Sequence, residues 1–197
     1  MPWPSKDEFI ELLRTRTPLD IVNEYLLTGT PFAFEAEPQN YDLFRSVLAN
    51  ALRVQQNDVT IVGSGRIGFS LDPSRYGNPY SPTTSDIDTV IVNAELFDIA
   101  WHQLCSRGRS QLGLNWKARR ALEDHRKGNV FYGYIEPDRL TGAVTISPTW
   151  FRTFRGLARR PELAQLEVQG RLYRTWDHVR YHQIYSLAGI KTRFRIQ

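Results

Sequence analysis

The stretch VTIVGSGRIGFS, residues 59–70, places an apolar run typical of a β-strand directly before a glycine-rich turn. Its letters GSGRIG match the Gly-x-Gly-x-x-Gly spacing of dinucleotide-binding turns. Two acids, Asp86 and Asp88, follow 18 and 20 residues after Gly68, about where such a site needs a carboxylate for the ribose. The stretch therefore predicts a strand that ends at a turn suited to bind phosphate, and leaves open whether the ligand is a dinucleotide.

The segment after the turn disfavours a dinucleotide site. Such a site needs a long helix that starts at the third glycine, and an acid at the far end of the second strand. Residues 69–85 contain three prolines, which leave room only for a short helix, at about Gly65 to Leu71. The acids also stand at the start of the next predicted strand, DIDTVIV, residues 86–92. We therefore expect no βαβ unit here, which disfavours a nicotinamide- or flavin-dependent oxidoreductase.

The two acids favour a metal site instead. Asp86 and Asp88 are two residues apart in a predicted strand, so their side chains should lie on one face, ~7 Å apart along the chain. Their carboxylates repel each other unless a cation lies between them, and Mg²⁺ is the usual ion beside phosphate. At the preceding turn, backbone N–H groups and the Ser64 hydroxyl can bind phosphate oxygens. This pattern predicts phosphoryl or nucleotidyl transfer; the simpler alternative is a turn followed by an edge strand.

In this combination the chain resembles the nucleotidyltransferase superfamily, which has the DNA polymerase β-like fold. The resemblance covers residues 59–92 and consists of an apolar strand, Gly-Ser, a gap, and Asp-x-Asp on the next strand. The gap is longer than in the minimal members. Within the family, the chain resembles the minimal nucleotidyltransferases of toxin–antitoxin or phage-defence systems, and its gap is nearer in length to that of members with an inserted loop. The resemblance implies transfer of NMP from an NTP to an acceptor hydroxyl.

The resemblance also assigns roles to particular residues. It implies that Gly63, Ser64 and Ser85 bind the nucleoside triphosphate. It implies that Asp86 and Asp88 are the catalytic pair and bind Mg²⁺ or Mn²⁺.

Many members of this superfamily carry a third carboxylate on a later strand, where it helps to hold the metal and can act as a base. Glu167, between Leu166 and Val168, is the best candidate, and we expect it to be a metal ligand. Glu136 and Asp138 are weaker candidates. Without a third acid, the alternative is a catalytically degenerate module that binds nucleotide, RNA or a protein partner, such as an antitoxin or a phage-defence subunit.

Length and patterning predict a single domain of α/β (α+β) class, with a small mixed sheet of the nucleotidyltransferase type flanked by helices. Residues 1–55 are expected to form an N-terminal helical segment, and residues 56–197 the core with C-terminal helices.

Local signals predict several of the individual elements. Ser5, with a Glu three residues later, predicts the start of the first helix. We further expect a strand over 129–135, a helix capped by Ser147, and a closing helix from Thr175 to Gly189.

Charge and composition point to the partners. Residues 1–100 carry 7 Lys/Arg and 14 Asp/Glu, whereas residues 101–197 carry 18 and 7, so the second half is strongly basic. An anionic partner is expected there, either a nucleotide or an RNA or DNA acceptor. The single cysteine, Cys105, suits a reducing cytoplasm, and neither an apolar span nor a secretory signal is visible. We therefore expect a cytoplasmic protein without a membrane partner.

Overall fold

A computed structural model describes residues 3–108, 110–163 and 166–196. Within them the α-helices are α1 (Lys6–Thr15), α2 (Pro18–Ile21), α3 (Pro38–Leu52), α4 (Ser64–Ile67), α5 (Ala94–Arg107), α6 (Trp116–Asp124), α7 (Ser147–Leu157) and α8 (Trp176–Arg193). The strands are β1 (Val59–Val62), β2 (Ile87–Val92), β3 (Tyr134–Ile135) and β4 (Val168–Tyr173). The predicted α/β (α+β) class, with a mixed sheet flanked by helices, is confirmed. None of the described helices is long and apolar enough to cross a membrane.

The four strands form one sheet in the order β1-β2-β4-β3. β1 and β2 are antiparallel, with Val62 opposite Asp88. β2 and β4 are parallel, and β3 pairs antiparallel with β4. A dinucleotide-binding unit needs two parallel strands joined by a helix, so the antiparallel β1–β2 pair excludes it at this turn. The expectation that the turn opens no βαβ unit is confirmed.

Side chains of β2 alternate between two apolar clusters. Ile87 and Ile91 lie in the main core, which contains buried residues of α3, α5, α6 and α7. Val90 belongs to a smaller cluster with Tyr173 of β4 and Val179 of α8. Asp88 shares the face of Val90, since the two are two residues apart. The acid therefore lies at the end of the face that α8 only partly covers.

The N-terminal helices form a third apolar cluster with α8, in which Phe9 of α1 and Leu187 of α8 are both buried. Arg66 of α4 ties this part to the glycine turn. Its side chain is buried and donates hydrogen bonds to the carbonyl oxygens of Tyr25, at 2.9 Å, and Gly29, at 2.6 Å. Arg66 is thus held by backbone contacts next to the turn.

The structure corrects three of the predicted elements. The strand expected over 129–135 is only Tyr134–Ile135, because the preceding residues continue α6 as a π-helical turn, His125–Asn129. Ser147 is the first residue of α7 rather than its cap, and its hydroxyl donates to the Pro137 carbonyl.

Thr175 caps α8 as predicted, but the helix continues beyond Gly189 to Arg193. A Cβ at Gly189 would lie 2.9 Å from Cγ of Pro73. Gly189 therefore serves the close approach of a loop, rather than the end of the helix.

Gly170 of β4 offers a test of the main core. A Cβ there would overlap the ring of Phe154 and lie 2.8 Å from that of Trp150, and these two rings stack on each other. We expect Gly170→Ala to lower the free energy of unfolding by about 1–3 kcal/mol, because the two rings must shift. Gly156→Ala in α7 is the matched control: its Cβ meets nothing within 4 Å, and it should stabilise by up to about 1 kcal/mol. Urea denaturation of both variants measures the difference, and equal stabilities would contradict the packing.

Candidate functional site

The glycine turn and Asp88 are in direct contact. Gly63 has φ +70° and ψ −151°, a conformation that only glycine adopts readily. A Cβ at Gly63 would lie 2.8 Å from Oδ2 of Asp88. This proximity follows from the register, since Val62 pairs with Asp88 and Gly63 is the next residue. Position 63 therefore requires glycine for two reasons: the backbone conformation there, and the space that the neighbouring carboxylate takes up.

A cleft of about 700 Å³ opens beside this contact. Its lining comes from the turn, from the start of β2, from the middle of β4, from the loop 70–75 and from α8. The lining residues that carry polar or charged groups include Gly63, Ser64, Arg75, Asp88, Arg171 and His182. The cleft thus combines a backbone turn, two acids, Asp72 and Asp88, and two arginines, of which Arg75 is paired with Asp72. This set is suited to a phosphate ester and a cation.

Asp86 and Asp88 are close enough to influence each other. Burial raises the pKa of Asp88 above its ordinary value; Arg171 opposes this rise, and the charges of Asp86 and Glu136 add to it. Asp86 lies just before β2, and its Oδ2 accepts a hydrogen bond of 2.6 Å from Nε2 of Gln169 on β4. Among the described residues, Asp88 accepts no side-chain hydrogen bond, so its oxygens remain available to a ligand.

Arg171 is the cation nearest to Asp88. Its Nη1 lies 3.8 Å from Oδ1 of Asp88, and its Nε lies 3.3 Å from Oε1 of Glu136. The guanidinium also lies over the ring of Tyr134, at 5.8 Å from its centroid. One arginine therefore bridges two acids at the edge of the cleft. Sequence reasoning missed Arg171, because only the β2–β4 register places it beside Asp88.

Glu167 is not brought into the cleft. It lies just before β4, is exposed, and lines a separate cavity of about 540 Å³ together with Asp138. Its backbone carbonyl accepts a hydrogen bond from the N–H of Ile87 at the start of β2. Across the described ranges, no group of three or more His, Cys, Asp or Glu side chains is placed to hold a metal ion. The expected three-ligand set of Asp86, Asp88 and Glu167 is thus not assembled.

The charge of Glu136 acts on Asp88, but cationic and amide groups already hold Glu136. Arg139 donates to Glu136 at 2.6 Å and Asn129 at 3.3 Å, in addition to the contact with Arg171. Glu136 is therefore an anchor for arginines rather than a free ligand.

The two serines assigned to the nucleotide lie in different surroundings. Ser64 begins α4 and lines the cleft beside Gly63. Ser85 is half-buried, and its hydroxyl accepts a hydrogen bond of 3.2 Å from the N–H of Ser81. Because α4 has only four residues, the groups that the turn could offer to a phosphate are local N–H groups and the Ser64 hydroxyl.

His182 on α8 forms part of the cleft wall as a neutral side chain. Its Nδ1 lies 2.6 Å from Oη of Tyr173, and its ring stacks on Tyr134 with centroids 5.1 Å apart. Burial, with a further contribution from the charge of Arg171, lowers the pKa of His182 to about 4. The positive groups among the cleft's lining residues are therefore Arg171 and Arg75, and Arg75 is paired with Asp72, which also lines the cleft.

Comparison with known proteins finds no match to this chain among protein-family models, curated proteins or solved structures.

Asp88 gives a prediction in which the site opposes stability. A carboxyl whose pKa is raised by folding stabilises the fold below its unfolded pKa and destabilises it above the raised value. We therefore expect Asp88→Asn to melt at or above the wild-type temperature at pH 7, with the difference vanishing near pH 3. Thermal unfolding followed by circular dichroism measures this.

Asp98→Asn is the control for this measurement. Asp98 accepts two hydrogen bonds from Arg174, so its loss should lower the melting temperature at pH 7. A clear drop for Asp88→Asn as well would show that the acid supports the fold.

Proposed function

We propose that this chain is a metal-dependent nucleotidyltransferase that moves NMP from an NTP to an acceptor hydroxyl and releases pyrophosphate. The observation that carries the proposal is the close approach of Gly63 and the Asp88 carboxylate, both of which line the cleft. A phosphate held by the turn would lie beside an acid that can share a cation with it. The residues identified from the resemblance thus include a pair, Gly63 and Asp88, that meets in space.

The donor set fits a hard divalent cation. The Asp88 side chain is 38% exposed, accepts no side-chain hydrogen bond within the described part of the chain, and has a pKa raised by burial and by nearby acids. A divalent cation that binds carboxylate oxygens would reduce the repulsion between Asp88 and the nearby acids. Asp86 and Asp88 would hold Mg²⁺ or Mn²⁺, which, when bound, polarises the α-phosphate and activates the attacking hydroxyl.

The chain's own groups would position the triphosphate. Backbone N–H groups at Gly63 and Ser64, together with the Ser64 hydroxyl, would bind phosphate oxygens at one end of the cleft. Arg171 would contribute positive charge, and Arg75 would do so where a phosphate displaces it from its ion pair with Asp72. Tyr185, which lines the cleft and is 71% exposed, offers a ring on which a base could stack.

A second candidate is a module that binds nucleotide, RNA or a protein partner without catalysis, as in an antitoxin or a phage-defence subunit. It is favoured by one observation: Arg171, rather than a third carboxylate, stands beside Asp88 on the neighbouring strand. The basic half gives only limited support to a nucleic-acid partner, since Arg126, Arg139 and Arg174 are in ion pairs with acids. For either candidate we propose a cytoplasmic location.

Labelled nucleotide distinguishes the two candidates. The protein is incubated with each α-³²P-labelled NTP and Mg²⁺ or Mn²⁺, with RNA, DNA, protein and small-molecule acceptors. We expect metal-dependent transfer of label and release of pyrophosphate, and a loss of about 100-fold or more in Asp86→Ala and Asp88→Ala, because the metal ligands are removed. Glu95→Gln, an exposed acid in the first turn of α5, should retain wild-type activity.

Each result has a distinct meaning. NTP binding that depends on Asp88, without transfer to any acceptor, would contradict the nucleotidyltransferase proposal and support the non-catalytic module. No binding of any NTP to the wild-type protein would overturn both candidates.

A further inference from the structure

A metal ion bound to the Asp88 carboxylate would compete with the Arg171 guanidinium for it. This guanidinium approaches Asp88 and Glu136, at 3.8 Å and 3.3 Å. It is the basic group nearest to Asp88 within the described part of the chain. In the protein without ligand, therefore, the charge of Asp88 is already partly neutralised, and a divalent cation meets a fixed positive charge beside its carboxylate ligand.

We infer that Arg171 makes metal binding depend on nucleotide: without nucleotide its guanidinium screens Asp88, and with nucleotide it turns to the phosphates and leaves Asp88 to the metal. This inference rests on the proposed function and describes how the same site is regulated. A guanidinium can bind two phosphate oxygens in a bidentate manner, and a triphosphate carries more negative charge than the single Asp88 carboxylate. The nucleotide is therefore the stronger partner for Arg171.

The surroundings of Arg171 permit this exchange. Its side chain is 34% exposed and lines the same cleft as the Gly63–Ser64 turn, so a phosphate held by the turn comes within its range. The Tyr134 ring supports the guanidinium from the side by a cation–π contact, which does not require an acid partner.

Glu136 keeps part of its hydrogen bonding without Arg171. Arg139 and Asn129 both donate to its Oε2, whereas Arg171 is the side-chain donor to its Oε1 within the described residues. Turning Arg171 away therefore leaves the Glu136 carboxylate with two donors and frees Asp88 on the cleft side. The exchange alters the charge at Asp88 and gives up one hydrogen bond at Glu136.

The inference predicts opposite effects of one substitution on the two ligands. Arg171→Gln removes the positive charge beside Asp88, so Mn²⁺ should bind the nucleotide-free protein at least about fivefold more tightly than it binds wild type. The same variant should bind ATP without metal about tenfold more weakly, since a charged hydrogen bond to phosphate is lost. Mn²⁺ binding is measured by electron paramagnetic resonance and ATP binding by isothermal titration calorimetry.

Two further variants control the measurement. Arg174→Gln removes an arginine three residues away that pairs with Asp98 outside the cleft, and should change neither affinity. Arg171→Gln/Asp88→Asn should lose the gain in Mn²⁺ affinity, which shows that the added affinity belongs to Asp88. Circular dichroism of each variant verifies that it is folded.

The wild-type protein supplies the coupling itself. The wild-type protein should bind Mn²⁺ more tightly when ATP is present, by more than the binding of Mn²⁺ to free ATP accounts for. This increase in affinity should be smaller in Arg171→Gln. If Arg171→Gln leaves Mn²⁺ affinity unchanged or weaker while wild type still binds ATP through Asp88, the inference fails and the proposed function stands. If wild type binds no ATP, both fail.

Discussion

The antiparallel pairing of β1 with β2 is the constraint on which the site depends. It places Val62 opposite Asp88, so the turn that follows β1 meets the acid at the second residue of β2. Gly63 completes the contact, because a side chain there would collide with the carboxylate. Neither strand alone would create a site. The pairing brings a backbone turn and a charge into one corner of a cleft, where both can face one ligand.

This corner carries negative charge that the fold does not fully compensate. Burial raises the pKa of Asp88, and the charges of Asp86 and Glu136 raise it further. If stability alone mattered, this end of the sheet would bury apolar side chains instead. The repulsion between these acids is the physical reason to expect a positive charge beside Asp88. Arg171 supplies part of that positive charge from within the chain. Under the proposed function, a bound metal ion and the Arg171 guanidinium would be alternative sources of positive charge beside Asp88.

Sequence reasoning reached the parts of the site that lie close together in the chain. The turn, the acid pair and the lack of room for a long helix after the turn are local signals in glycine, aspartate and proline. It failed for Glu167, whose apolar flanks indicated a strand but not which side of the sheet it would face or which cavity it would line. It also missed Arg171, which looks like any other arginine of the basic half until β4 is set beside β2.

The sequence by itself determined the mixed α/β character, the strand–turn–strand unit around Gly63 and Asp88, and the caps at Ser5 and Thr175. These follow from interactions within a few residues. Only the tertiary structure decided the strand order, the partner of Asp88 and the end of α8. Those depend on register and on contacts between segments far apart in the chain, such as Gly189 against Pro73, which no local pattern of residues encodes.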